Sequence, residues 1–271
     1  MKSIDWVIMG GSTTEQFAVY LEPLGFRILD EGIRFSTPLG ETVAGTLFEW
    51  IGQKGSWRGI FFPYHGWDPT DVRVRIIGVE RIFWVIRKLS ILRIISTGSV
   101  GSVNELLDPG DVVLPLDFLD QRKSHSTPFS DISIIHMDNP VCRIMVDQLA
   151  SAFRFEGYSR VFARGTYGVT ENGRFESPAE IRALRLLGAD VVGKSMAPEV
   201  YLTRGVGACF VGAYLVSNYG EGIRPNSNSG RFFEVCKEHN HRFVSGLLRF
   251  LLNFSEHSCN NCSFGQLRKG L

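Results

Sequence analysis

Short runs rich in β-branched and aromatic residues, bounded by Gly, Pro or Asp, alternate along the chain with longer stretches whose apolar residues recur at helical spacing. The short runs predict strands over residues 5–9, 26–28, 42–50, 57–63, 91–97, 111–115, 161–167, 191–192 and 208–217. The longer stretches predict helices over 14–21, 72–89, 140–156, 178–187, 199–204 and 231–254. Asn139-Pro140 and Ser177-Pro178 offer an N-cap followed by a first-turn proline, and Gly188 and Gly205 offer C-caps. Alternation of this kind predicts an α/β fold, a single domain with a mixed central β-sheet flanked by helices. No linker, charge block or repeat divides residues 1–254, and residues 255–271 read as a polar tail. The run 206–217 is apolar at nearly every position, as expected of a strand covered on both faces. Asn218, the first polar residue after it, stands where α/β sheets usually bind ligands.

With 271 residues, 44% of them hydrophobic, the chain can bury one large core or two modest ones. A net charge of +1 gives no field to recruit nucleic acid or an anionic membrane. No apolar run reaches the roughly 20 residues of a membrane span. The opening Met1-Lys2-Ser3-Ile4-Asp5 is too acidic, and the run after it too short, for a secretory signal. Five cysteines, widely spread, do not resemble a disulfide framework, so a reduced, soluble, cytoplasmic protein is the expectation. Cys259-Asn-Asn-Cys262 lacks two further zinc ligands, with His257 alone nearby; no metal is expected, and incidental or disulfide use stays open.

Three runs rich in Gly, Ser and Thr follow predicted strands: Gly10-Gly11-Ser12-Thr13-Thr14, Ser96-Thr97-Gly98-Ser99-Val100-Gly101-Ser102, and Gly193-Lys194-Ser195. As turns they would expose backbone N–H groups and hydroxyls, which make anion nests. Such turns occur in any α/β protein, and none of them identifies a site alone.

The second half adds specificity. Asn172-Gly173-Arg174-Phe175-Glu176-Ser177-Pro178-Ala179-Glu180 is followed by Gly188-Ala189-Asp190-Val191-Val192-Gly193-Lys194-Ser195-Met196-Ala197-Pro198-Glu199. This order resembles the purine nucleoside phosphorylase and methylthioadenosine phosphorylase superfamily, which cleaves the N-glycosidic bond of nucleosides with phosphate. Gly101-Ser102-Val103, continuing to Pro109-Gly110-Asp111, extends the likeness, which runs from the first strand to about Tyr219. The resemblance implies that Ser12, Thr97, Ser99 and Ser195 hold phosphate as a co-substrate, with no cofactor. It implies catalytic roles for Asn218, His65 and Ser195, and small-molecule partners only, a nucleoside and phosphate. It also implies a homotrimer or a dimer of trimers, with the tract 117–139 near the neighbouring subunit's ribose pocket.

Base recognition follows from hydrogen-bonding inventory. A 6-oxopurine presents N1–H as donor and O6 as acceptor, and adenine presents the reverse. A carboxylate only accepts, whereas an amide does both. By resemblance Glu176 accepts from N1–H, Asn218 donates to O6 or N7, and Phe175 stacks on the purine. That favours a 6-oxopurine, with the ribose 5′ substituent open. As a residue beside a helix start, Glu176 equally reads as an exposed carboxylate favoured by the helix dipole. Glu180, Glu199 and Asp190 need no catalytic role.

Two positions depart from the family. Phe62-Pro63-Tyr64-His65-Gly66 keeps the histidine, a phosphate ligand by resemblance, but carries Tyr64 where the family has its phosphate-gripping arginine. Lys194 replaces a methionine that packs beneath the ribose, which places Tyr64 and Lys194 at the ribose. The ammonium of Lys194 is also a candidate point-charge phosphate ligand or a partner for an acidic 5′ group. Phosphorolysis of a purine nucleoside to free base and pentose 1-phosphate is the leading expectation. Hydrolysis by water and non-catalytic nucleoside binding are the alternatives.

Overall fold

The first apolar run forms β1 (Trp6–Met9), buried at all four positions, in a computed structural model that describes residues 3–52, 55–64, 72–122, 132–171, 174–224, 231–255 and 266–268. After it, β2 (Arg27–Ile33), β3 (Gly45–Gly52) and β4 (Gly55–Phe62) make an antiparallel meander. The chain continues through α1 (Val72–Lys88), β5 (Arg93–Ser102), β6 (Val112–Val113) and β7 (Asp117–Asp120). It then runs through α2 (Arg143–Phe155), β8 (Val161–Phe162), β9 (Thr166–Val169), α3 (Pro178–Leu186) and β10 (Val191–Gly193). The last large elements are α4 (Met196–Val206), β11 (Cys209–Tyr219) and α5 (Phe232–Asn253).

One eleven-stranded mixed sheet runs β8-β6-β11-β5-β1-β4-β3-β2, with β10 joined to β5 and β9 bridging β10 and β7. Its centre is parallel: β1 lies between β4 and β5, and β11 pairs with β5. β11 is buried at nine of its eleven positions, as expected of a strand covered on both faces. Its register against β5 slips by one residue at Ser217, so that Val216 lies opposite Val100 while Asn218 lies opposite Gly101. Helix α5 is tied to the sheet by Phe250 and Phe254, whose rings meet Trp6 edge-on at 5.6 and 4.8 Å. Gln266–Arg268 pairs antiparallel with Ile132–Ile135, whereas Cys259 and Cys262 lie outside the described residues. Among the described residues no helix is long and apolar enough to cross a membrane.

Several local expectations change. The glycine-rich run 96–102 is strand rather than turn, because β11 pairs with it as far as Ser102. Its glycines clear space for functional side chains: a Cβ on Gly98 would lie 3.2 Å from Ser195 Oγ, and one on Gly101 3.4 Å from Asn218 Nδ2. The helix expected over 14–21 is two 3₁₀ pieces, Phe17–Tyr20 and Glu22–Leu24, the second with Pro23 in its first turn and Gly25 ending it at φ 85°. Asn139 is not an N-cap. It takes φ 49°, and α2 starts after Cys142, whose N–H is held by the Phe210 carbonyl of β11. Gly205 is buried inside α4, and Gly207 at φ 75° caps it. The single strand expected over 161–167 breaks at Gly165, where φ is 109°.

Helix α3 begins with a full capping box: Glu180 N–H donates to Ser177 Oγ at 3.3 Å, and Ser177 N–H donates to Glu180 Oε2 at 2.7 Å. Hydrogen bonding from Arg174, and then from the Ser177 N–H, holds the Glu180 carboxyl down at about 2. Being depressed in the fold, this group contributes stability that is fully present above its ordinary 4.5 and is lost as pH falls toward about 2. Ser177→Ala is expected to cost about 1 kcal/mol. Denaturant unfolding should show a lower midpoint at an unchanged slope, and an unshifted midpoint would mean that the cap is dispensable.

Candidate active site

A cavity of about 430 Å³ opens beyond the carboxyl ends of the parallel strands β1, β5 and β11. Gly11 and Ser12 reach it from the turn after β1, Gly98 to Gly101 from β5, and Gly193 to Ser195 from the β10–α4 junction. Ser217 and Asn218 come from the end of β11, Phe175 and Glu176 from the approach to α3, and Phe232 and Phe233 from the start of α5.

One end of the cavity is a hydroxyl cluster. Ser12 Oγ and Ser99 Oγ are 2.8 Å apart, and the Cys236 thiol donates to Ser12 Oγ at 3.8 Å. Burial pushes the Cys236 thiol up, so it stays protonated beside them. The turn is fixed from behind, since Gly11 N–H donates to Thr14 Oγ1 at 2.9 Å. Ser195 completes the wall through Tyr167, whose phenol oxygen is 3.2 Å from Ser195 Oγ and accepts from Ser195 N–H at 3.3 Å. That phenol occupies the space of a side chain at position 193, where a Cβ would come within 2.1 Å of it, so glycine is required there.

The same cavity is lined by the carboxylate of Glu176, 7% exposed and thus not the solvated first-turn residue of the alternative reading. Its Oε1 accepts from the Thr170 hydroxyl and from the Lys194 ammonium, which also bonds Thr170 Oγ1. Asn218 is 8% exposed; its Oδ1 accepts from Ser217 Oγ at 2.9 Å, and its Nδ2 donates to the Tyr219 carbonyl at 2.9 Å. Those two bonds orient the amide and leave its second N–H available. Phe175, 54% exposed, stands at the mouth, where an aromatic face is open to a planar ligand.

Ser12, Ser99, Ser195, Phe175, Glu176, Lys194 and Asn218 therefore meet on one cavity. Thr97 does not: its hydroxyl is fully buried and donates to the Met9 carbonyl at 3.1 Å, serving the β1–β5 junction. Tyr64 is also off the cavity wall, buried against α1, where a Cβ on Gly78 would lie 3.0 Å from its ring. His65 falls outside the described residues. Lys194 is turned from Ser195 onto Glu176 and Thr170, because a buried carboxylate is the strongest acceptor within its reach. Among the described residues it is the one cation lining the cavity, and no group of three His, Cys, Asp or Glu side chains is placed to hold a metal. Sequence reasoning missed Tyr167, Thr170, Phe232 and Phe233. Tyr167 and Thr170 lie just before the Asn172–Glu180 motif, and what they touch is set by strand pairing.

The phosphorylase superfamily profile matches residues 46–252. A probable S-methyl-5′-thioinosine phosphorylase of Methanopyrus kandleri is 40% identical over 201 residues, covering 73% of this chain and 78% of that protein. The 6-oxopurine nucleoside phosphorylase of Pyrococcus furiosus is 37% identical over 197 residues, covering 69% of this chain and 72% of its own. In fold, the chain is similar to a methylthioadenosine phosphorylase from an Antarctic soil metagenomic library, with TM-score 0.81, 21% identity, and 98% and 92% of the two chains covered. With the profile spanning most of its length and these relatives above 30% identity, the chain belongs to the phosphorylase superfamily.

Proposed function

We propose that the protein is a purine nucleoside phosphorylase that takes a 6-oxopurine nucleoside and phosphate to the free base and pentose 1-phosphate. The observation that carries this reading is the buried carboxylate of Glu176 facing the same cavity as the Asn218 amide. An acceptor for N1–H beside a donor for N7 or O6 matches a 6-oxopurine and opposes adenine. Phosphate fits against the hydroxyls of Ser12, Ser99 and Ser195. One of its oxygens bonds to C1′ as the C1′–N9 bond breaks, and the purine departs with the electron pair. Charge that develops on the imidazole ring is met by the Asn218 N–H at N7. Phe232 and Phe233 add apolar surface to the cavity wall. They suit an uncharged 5′ substituent, in line with the thioinosine substrate in the name of the Methanopyrus relative. A homotrimer or a dimer of trimers is the proposed assembly, and light scattering tells the two apart.

The test is chromatographic. Incubated with phosphate, the protein is expected to release hypoxanthine from inosine or 5′-methylthioinosine much faster than adenine from adenosine or methylthioadenosine. Faster release of adenine overturns the base assignment. Base release that ignores phosphate and yields free pentose points instead to hydrolysis.

A further inference from the structure

We infer that Lys194 narrows base choice within the 6-oxopurines, toward hypoxanthine and away from guanine. This rests on the phosphorylase reading above. A carboxylate oxygen has two lone pairs. On Oε1 of Glu176 both are taken, one by the Thr170 hydroxyl and one by the Lys194 ammonium. The Lys194–Thr170 bond closes the three groups into a ring, so neither donor is easily drawn off alone. Among the described residues no protein donor engages Oε2, and Glu176 lies on the cavity wall. The carboxylate therefore offers the base one oxygen rather than two.

Hypoxanthine needs only one, for N1–H, because its C2 carries a plain hydrogen. Guanine presents N1–H and a 2-amino N–H side by side, a pair that suits a carboxylate with both oxygens open. Against Glu176 the second N–H meets an oxygen that is already saturated and the positive end of Lys194. A donor buried without a partner weakens binding by roughly 5- to 150-fold. Lys194 does this through Glu176, without needing to touch the base, and so acts as a positioning residue.

The experiment compares kcat/KM for inosine and guanosine in the wild type, Lys194→Met and Lys194→Arg. Wild type is expected to prefer inosine by about tenfold or more. Lys194→Met, which frees one lone pair of Oε1, should cut that preference about tenfold, while Lys194→Arg, which keeps a donor, should retain it. A lysine that merely supports the fold would lower both substrates together and leave the ratio fixed. Equal use of the two nucleosides by wild type, or a ratio unmoved in Lys194→Met, overturns the inference. A rise in KM for phosphate with the ratio unmoved would assign the ammonium to phosphate. If wild type releases base from neither nucleoside nor from 5′-methylthioinosine, the phosphorylase reading fails instead. Calorimetry with free hypoxanthine and guanine then decides the point, with tighter hypoxanthine supporting the inference and equal affinities removing it.

Discussion

Replacing Glu176 by glutamine is expected to lower kcat/KM for inosine by roughly 30- to 5,000-fold, the range for truncating one member of a buried charge pair, about 2–5 kcal/mol. Two losses combine. The base loses the carboxylate that accepts from N1–H, and Lys194 keeps its charge beside a neutral amide in a site where Glu176 is 7% exposed. Glutamine is close to isosteric, so the cavity keeps its shape and the effect is electrostatic and hydrogen-bonding in origin. Its amide also carries N–H groups, so adenosine, whose N1 accepts, should lose less than inosine or gain. Steady-state kinetics on both nucleosides reads the two trends together. A loss below threefold on inosine, with the preference for 6-oxopurine intact, would move base recognition away from Glu176.

Asn218→Ala should act on the other kinetic parameter. An N–H directed at N7 strengthens as the purine acquires negative charge, so it stabilises the transition state more than the bound nucleoside. Removing one preorganised donor of this kind costs about 100- to 1,000-fold in kcat. KM for nucleoside should stay within a few-fold, because the contact is weak in the ground state. The amide is oriented by Ser217 Oγ and the Tyr219 carbonyl, so Ser217→Ala should reproduce part of the loss without touching Asn218. If Asn218→Ala instead raised KM with kcat intact, Asn218 would be a uniform binding contact and the leaving-group assignment would fall.

The central architecture was legible because it rests on patterns short enough to see in one window. The near-continuous apolar run of β11 announced a strand covered on both faces, and Ser177-Pro178 announced the start of α3. Glu176, Ser195 and Asn218 were readable through the family resemblance, and they share one cavity. What stayed hidden depends on contacts between distant segments. Lys194 stood out as a departure, yet its partners Glu176 and Thr170 lie 18 and 24 residues away and meet it only because β9 pairs with β10. Thr97 sits in a run of small polar residues that looks like a turn, but pairing with β11 makes that run strand, and its hydroxyl donates to the Met9 carbonyl. Composition does not encode such a choice; the neighbouring strands make it.

The one-residue slip in β11 means that the functional amide is placed by counting as well as by kind. Tyr214, whose phenol donates to Ser96 Oγ at 3.0 Å, fixes the phase of the strand, and Ser217 is the surplus residue that brings Asn218 level with Gly101. Losing Ser217 would keep every motif letter while removing the hydroxyl that steadies the amide. Gaining a residue between Tyr214 and Ser217 would send the amide to the opposite side of the sheet. Two relatives can thus share all their recognisable residues and differ in competence through a single gap. An alignment that treats gaps in this stretch as neutral would pair an active chain with an inactive one and score them alike.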